Sequence, residues 1–529
     1  MTQSIFSLLP PLLAIVMVLI TRRVLLSLGI GIISAAILLA MDATDGIGSV
    51  VTESLSILWT SFYSVFVSQT DTGWELNTWN VYILLFLLLL GIITAFIMVS
   101  GGSRAFGEWA LSRVKTRKGA QFVTAIFGVL IFIDDYFNSL AVGQVSRPIT
   151  DRHRVSRAKL AYLIDSTAAP VCVVSPISSW GASIIATIGG ILAANEVTQY
   201  TAFSAFIWTI PMNLYVWVAL ALVFILVAKQ TDFGPMKVHE QRAIKTGEVY
   251  DPQKEIPGEV KQELPENKKG KVRDLIFPII GLVIGTVGAM LWTGYQAAQS
   301  TNIFTIFENT DVTLSLIIGG LVGLTVTLVL FFLHVGKKNV EGSTILPVTI
   351  EGIKSMLPAI YILVFAWMIV GLISDLQTGE FIAEEFKKMN LNIGFLPVII
   401  FIIAGGMAFA TGTSWGSFGI LLPIAGEIAA VTSIDILIPA FAAVLAGAVL
   451  GDHCSPISDT TILSSTGAGC NHMDHVTTQL PYVLLAGAIS AVGFLVLGLT
   501  SNTLLGLATC AVLLVGVWFF LPKSSQSNA

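Results

Sequence analysis

Apolar runs of near bilayer-spanning length recur along the chain, and polar residues interrupt them at only a few places. About 20 consecutive apolar residues carry a helix across a hydrocarbon core of roughly 30 Å. On that pattern, spans are expected over 4–21, 24–41, 80–99, 159–194, 203–229, 274–296, 312–335, 357–377, 436–470, 479–499 and 503–521. Two of them, 159–194 and 436–470, are overlong and carry polar breaks. The predicted fold is an all-α polytopic membrane protein with about 11 transmembrane helices. Pro10 and Pro11 are expected to kink the first span or to help it sit as a short hairpin with the next, and the span lacks a basic leader and does not read as a cleaved signal peptide.

The breaks come in two copies. Ser175-Pro176-Ile177-Ser178 returns 280 positions later as Ser455-Pro456-Ile457-Ser458. At that same offset Asp134-Asp135 meets Ser414-Trp415, and Gly91 meets Gly371. A duplicated unit with helices interrupted at matching places points to the midplane binding site of a secondary transporter.

Basic residues orient the pattern. Arg104, Arg113, Lys115, Arg117 and Lys118 precede the apolar run 119–133, and Arg147, Arg152, Arg154, Arg157 and Lys159 follow the next polar cluster. Lys and Arg mark cytoplasmic loops, so 119–146 should enter and leave by the inner face. An arm of about 15 helical residues reaches roughly 22 Å, short of a crossing. This predicts a re-entrant hairpin with 134–139 at its tip. The matching segment 391–430 is flanked by Glu384, Glu385, Glu427 and Asp435, against only Lys387 and Lys388, and is expected as an outward-facing hairpin. An odd number of crossings, five, separates 80–99 from 357–377, so the copies should form inverted-topology repeats with broken helices. The N-terminus is then expected outside and the C-terminus in the cytoplasm.

The chain divides accordingly. Residues 1–79 hold N-terminal helices and a connecting loop, 80–229 the first repeat, and 230–272 a cytoplasmic hydrophilic linker. Residues 273–356 are connecting helices, 357–500 the second repeat, and 501–529 a last helix and tail. The Glu-, Lys- and Pro-rich linker reads as solvated rather than folded.

Composition agrees. Only 12% of the 529 residues are charged and the mean hydropathy is +0.83, against about 25% charged in ordinary soluble domains. The net charge of −5 comes with no basic face, so no nucleic-acid partner is expected. Cys172, Cys454, Cys470 and Cys510 are widely spaced in or beside apolar segments and read as buried thiols. No phosphate-binding loop, dinucleotide fingerprint or nucleophile elbow is evident, which argues against an ATP-driven pump, an enzyme or a bound cofactor. Cys470-Asn471-His472-Met473-Asp474-His475 offers zinc-ligand types in an apparent loop, at a spacing that matches no strong metal motif.

The candidate chemistry lies at the breaks. Ionised carboxylates at membrane depth are costly and mark ion or proton pathways. Asp134 and Asp135 are the sharpest such signal, although one aspartate could simply cap the following helix. Asp452, His453, Ser455, Ser458, Asp459 and Thr460, with Thr461, form the richest polar cluster. Carboxylate, hydroxyl and carbonyl oxygens suit small hard cations, and the same groups could satisfy backbone freed around Pro456. Asp165 stands inside a span with no local partner, as a proton-relay carboxylate or one half of a buried pair. Asn138, Ser175, Ser178, Thr411, Thr413 and Ser414 add neutral oxygens. Asp135 and Asp459 are the expected sodium ligands.

The strings Phe132-Ile133-Asp134-Asp135-Tyr136-Phe137-Asn138-Ser139 and Gly451-Asp452-His453-Cys454-Ser455-Pro456-Ile457-Ser458-Asp459-Thr460-Thr461 resemble the NhaC-type Na⁺/H⁺ antiporters. Ala410-Thr411-Gly412-Thr413-Ser414-Trp415-Gly416 agrees, and the resemblance runs from about residue 80 to 500. It implies paired hairpins, a homodimer, and exchange of sodium, as transported substrate, for protons across a bacterial plasma membrane. The family also holds malate/lactate antiporters. A sodium-coupled organic-anion or amino-acid transporter is therefore the alternative, with a non-transporting membrane scaffold behind it. No arginine stands at either break to clamp a carboxylate, which favours the ion-only reading.

Overall fold

The long apolar runs fold as helices because only helices and closed barrels satisfy the backbone internally in hydrocarbon. The computed structural model describes residues 2–521, except 22, 71–72, 133, 177, 255, 257–266 and 388–392. Ile133, Ile177, Lys388, ten linker residues (257–266) and the tail 522–529 thus lie outside the described residues. Among those described, ten helices are long and apolar enough to cross a membrane, against about eleven expected spans.

Several spans differ from their sequence outlines. The first is a 3₁₀ turn, Ile5–Leu8, leading into a 13-residue helix, Leu9–Thr21. Pro10 and Pro11 sit in that helix's first turn, where amide protons have no intrahelical partner, rather than kinking its middle. The overlong 159–194 is three pieces, Arg157–Asp165, Ala169–Cys172 and Ser179–Ala194. Likewise 436–470 is Leu437–Cys454 followed by Asp459–Ala468. The run 203–229 is also divided, into Ala202–Met212 and Leu214–Lys229, just after Pro211. Ile345–Asp375 extends the span expected at 357–377 to 31 residues.

Two regions read as loop carry structure. Residues before 79 form the helix Ile47–Ser64 and a two-stranded hairpin, Val67–Thr70 with Gly73–Leu76. The linker holds the helix Gly234–Thr246, closed by Gly247 in the left-handed region at φ 81°. Buried Glu240 fixes that helix to the transmembrane body, accepting from Ser156 N at 2.8 Å and pairing with Arg117. A solvated segment has no such anchor, so the expectation for 230–272 is corrected over these residues.

The segments expected as re-entrant hairpins fold as the helix pairs Arg117–Leu130 with Asp135–Arg152, and Leu396–Thr411 with Ser414–Thr432, a pairing that does not by itself show re-entry. With its leading turn, Ile393–Thr411 is itself long and apolar enough to cross a membrane, so length does not set the second pair apart from spans. Thr78–Val99 and Ile345–Asp375 run antiparallel. A Cβ on Gly91 would lie 2.3 Å from Gly352 O, while Trp79 and Trp367 share a cavity wall. That arrangement fits inverted copies.

Small residues bring the site-bearing helices together. In the 83%-buried window of Ile434–Cys454, a Cβ on Gly447 or Gly451 would lie 2.2 Å from Phe401 O or 2.1 Å from Gly405 O. Asp135–Arg152 crosses Asp459–Ala468 equally closely, with a Gly143 Cβ placed 2.4 Å from Gly467. Glycine at such crossings lets backbones touch, and this one joins the first pair to the second copy's broken helix.

Candidate functional site

Each interrupted helix restarts on a polar cap, because the amide protons of its first turn have no intrahelical acceptor. Asp134 accepts from Phe137 N at 2.9 Å and Ser178 from Gly181 N at 2.9 Å. Thr413 accepts from Trp415 N at 3.2 Å and Ser458 from Thr461 N at 3.4 Å. Ser178 and Ser458 are 280 positions apart, so the duplication is written into the caps. Gly412, at φ 72°, turns the second pair, and a Cβ there would sit 2.8 Å from Ile457 Cγ1.

The Asp134, Thr413 and Ser458 caps adjoin a cavity of about 440 Å³. Its lining includes Asp134, Asp135, Asp459 and Thr413. Asp135 is 3% exposed. Its Oδ1 accepts from Trp180 Nε1 at 3.0 Å, while its Oδ2 has no hydrogen-bond partner. Asp459 accepts from the phenol of Tyr136 and from Thr460 N, the latter at 2.8 Å. One hydroxyl removed lies buried Asp452, with Oδ1 2.5 Å from Ser458 Oγ and Oδ2 2.8 Å from Ser414 Oγ. Thr460 Oγ1 is 2.9 Å from Ser458 Oγ and extends the same network.

A second polar cluster is buried apart from the cavity. Asp165 accepts from His475 Nε2 at 3.0 Å, Gln479 Nε2 at 2.9 Å and Ser464 Oγ at 3.1 Å. Gln479 Nε2 also reaches the carbonyl of His453 at 2.7 Å. The imidazole of His453 lies 2.8 Å from Tyr215 Oη and 3.2 Å from Ser166 Oγ. His475 belongs to the helix His472–Thr500, capped by Asn471, so the apparent loop at 470–475 is largely helix.

The remaining sequence candidates serve backbone. Asn138 Nδ2 lies 2.6 Å from the carbonyls of Gly128 and Ile131. Ser455 Oγ donates to Phe409 O at 2.9 Å, and Thr411 Oγ1 to Met407 O at 2.9 Å. Ser175 contributes a carbonyl, 2.8 Å from Ser178 Oγ. None of these four lines the cavity.

Sequence reasoning missed the aromatic wall. Trp79, Trp180, Trp367, Trp415, Tyr136 and Phe307 all face the cavity, and the Trp180 and Trp415 ring centroids are 5.1 Å apart. Tyr136, Trp180 and Trp415 stand within or beside the polar strings, so their adjacency was the available signal. Trp79, Phe307 and Trp367 had none.

Interrupted helices that meet at a carboxylate-lined cavity, inside a bundle of apolar spans, define a multi-pass membrane transporter. Residues 171–499 match the Na⁺/H⁺ antiporter family, and the chain belongs to it. A Haemophilus influenzae chain described as an uncharacterized protein is 45% identical, over 99% of this chain and 96% of that one. The arginine/ornithine antiporter ArcD of Halobacterium salinarum is 35% identical over 28% of this chain and 30% of its own length. The malate-2H⁺/Na⁺-lactate antiporter of Bacillus subtilis is 30% identical over 37% and 40% respectively. The family is one of transport in a lipid bilayer, not of enzymatic catalysis.

Proposed function

We propose that this chain exchanges sodium for protons across a bacterial plasma membrane by alternating access, through Asp134, Asp135, Asp452 and Asp459. One observation carries the reading: three aspartates, Asp134, Asp135 and Asp459, line a single cavity. Protons and cations then compete for the same oxygens. Four capped helix N-termini start beside this carboxylate group. At about half a charge each they supply roughly two positive equivalents, against four aspartates. About two negative charges are left for cations and protons to fill.

Trp79 and Val312 open the helices Thr78–Val99 and Val312–Gly336, whose far ends run into Arg104 and into Lys337 and Lys338. Basic ends lie inside, so the cavity opens outward and release to the cytoplasmic face requires the other access state. The buried Asp165–His475 cluster serves the inner half of the path as a proton relay. Among the described residues lining the cavity there is no Lys, Arg or His, which weighs against an organic-anion substrate.

The test is pH-dye dequenching in inverted vesicles from antiporter-deficient cells, with Na⁺, Li⁺ or K⁺ added in turn. Na⁺-dependent collapse of the proton gradient that needs a much higher Na⁺ concentration in Asp135→Asn supports the reading. A full response in both Asp135→Asn and Asp459→Asn removes it.

A further inference from the structure

Resting on the cation/proton reading, we infer that the cavity takes an organic monocation of the alkylammonium class that carries no carboxylate of its own. At about 440 Å³ the cavity falls within the range that holds small organic molecules, about 300–1,000 Å³. A bare inorganic cation needs far less room. Among the described residues, no three His, Cys, Asp or Glu side chains are placed to hold a metal ion. A metal cation would therefore have to draw on hydroxyls and carbonyls.

The wall chemistry fits an ammonium. Four tryptophans, Trp79, Trp180, Trp367 and Trp415, line the space together with Asp134, Asp135 and Asp459. Indole faces attract organic cations, quaternary ammonium among them, through the ring quadrupole. Carboxylates at the same wall neutralise the head, and the aromatic surface covers an apolar body. Trp180 links the two, since its N–H holds Asp135 while its ring packs against Trp415. A zwitterion would bring a carboxylate to a wall lined by three aspartates, where the described residues offer it no basic side chain.

The full chain in proteoliposomes, with a pH gradient reported by an entrapped dye, is given tetramethylammonium, tetraethylammonium, Na⁺ or methanesulfonate. A permanently charged quaternary ion cannot dissipate the gradient by shuttling protons itself, so a response is carried by the protein. The proposal expects a response to tetramethylammonium, competition with Na⁺, and none from methanesulfonate. Trp415→Ala should weaken the apparent affinity for tetramethylammonium about tenfold, with Trp415→Phe recovering most of it. A Na⁺ response that quaternary ions neither reproduce nor inhibit overturns this proposal and leaves the cation/proton reading in place. A quaternary response without a Na⁺ response sustains the proposal and removes sodium from that reading. Silence to every cation, in vesicles shown to contain folded protein, overturns both.

Discussion

Trp180 donates its indole N–H to Asp135 Oδ1 at 3.0 Å, from a broken helix to a helix-pair tip within the same copy. In the second copy, 280 positions on, Asp135 becomes Trp415 and Trp180 becomes Thr460, beside Asp459. Acid and indole have changed places. The first copy carries its acid on the pair tip and its indole on the broken helix; the second copy does the reverse. A twofold fold therefore lines one cavity with two acidic and two aromatic corners, and the chemistry is less symmetric than the backbone.

Asp135→Asn removes the charge and keeps the shape. Hydrogen bonds to charged groups are worth about 1.5–3 kcal/mol, so loss of this carboxylate should weaken cation binding roughly 10- to 100-fold. Trp180→Phe keeps a ring but frees Oδ1, and should cost about tenfold. Both are read as the Na⁺ concentration giving half-maximal dye recovery. Melting in detergent should match wild type for Asp135→Asn within a few degrees.

Gly412 tests the turn. At φ 72° a side chain is strained, and its Cβ would meet Ile457 at 2.8 Å. Gly412→Ala should destabilise by about 1–3 kcal/mol. Gly406 lies six residues earlier in Leu396–Thr411, with nothing within 4 Å of a built Cβ. Gly406→Ala should be neutral or stabilising by up to about 1 kcal/mol. Equal melting temperatures for the two variants would refute the turn argument.

The breaks were legible because proline and clustered hydroxyls cannot sit quietly inside a span, and the 280-residue offset doubled each signal. Caps followed directly: Asp134, Ser178, Thr413 and Ser458 were all singled out as site residues, and each starts a helix. The partner of Asp165 was not legible. His475 and Gln479 lie 310 and 314 positions away, and no local periodicity encodes such a pairing. The Gly91 and Gly371 match had no shared meaning, since Gly91 packs on Gly352 while Gly371 faces open space. The tryptophans are scattered along the chain, and only folding turns four of them into one wall.

If a proton and a cation compete for one carboxylate, deprotonation favours the cation. Over the range where the site is mostly protonated, each unit fall in pH should weaken apparent Na⁺ affinity about tenfold, and the dependence should flatten once the site is ionised. Initial exchange rates over a grid of pH and Na⁺ would show this as a shift in half-saturation with an unchanged maximum. A maximum that falls with pH while half-saturation stays fixed would place the proton elsewhere.

The start of the linker, just before its helix, is joined to the transport body by a buried ion pair, and its cost structure can be measured. Lys159 is fully buried, and its Nζ lies 2.5 Å from Asp232 Oδ1, which also accepts from Tyr482 Oη at 2.8 Å. Lys159→Met strands the aspartate against apolar and aromatic neighbours. Breaking one side of a buried pair costs about 3–5 kcal/mol, whereas replacing both partners with apolar residues is often neutral. Lys159→Met should thus lower the melting temperature sharply, and Lys159→Met with Asp232→Leu should recover most of the loss. If the double variant melts as low as the single one, the damage comes from lost packing at Tyr162 and Tyr482, whose rings lie 5.2 and 5.3 Å from the ammonium. Recovery of stability without recovery of exchange would instead show that the pair positions the linker for transport.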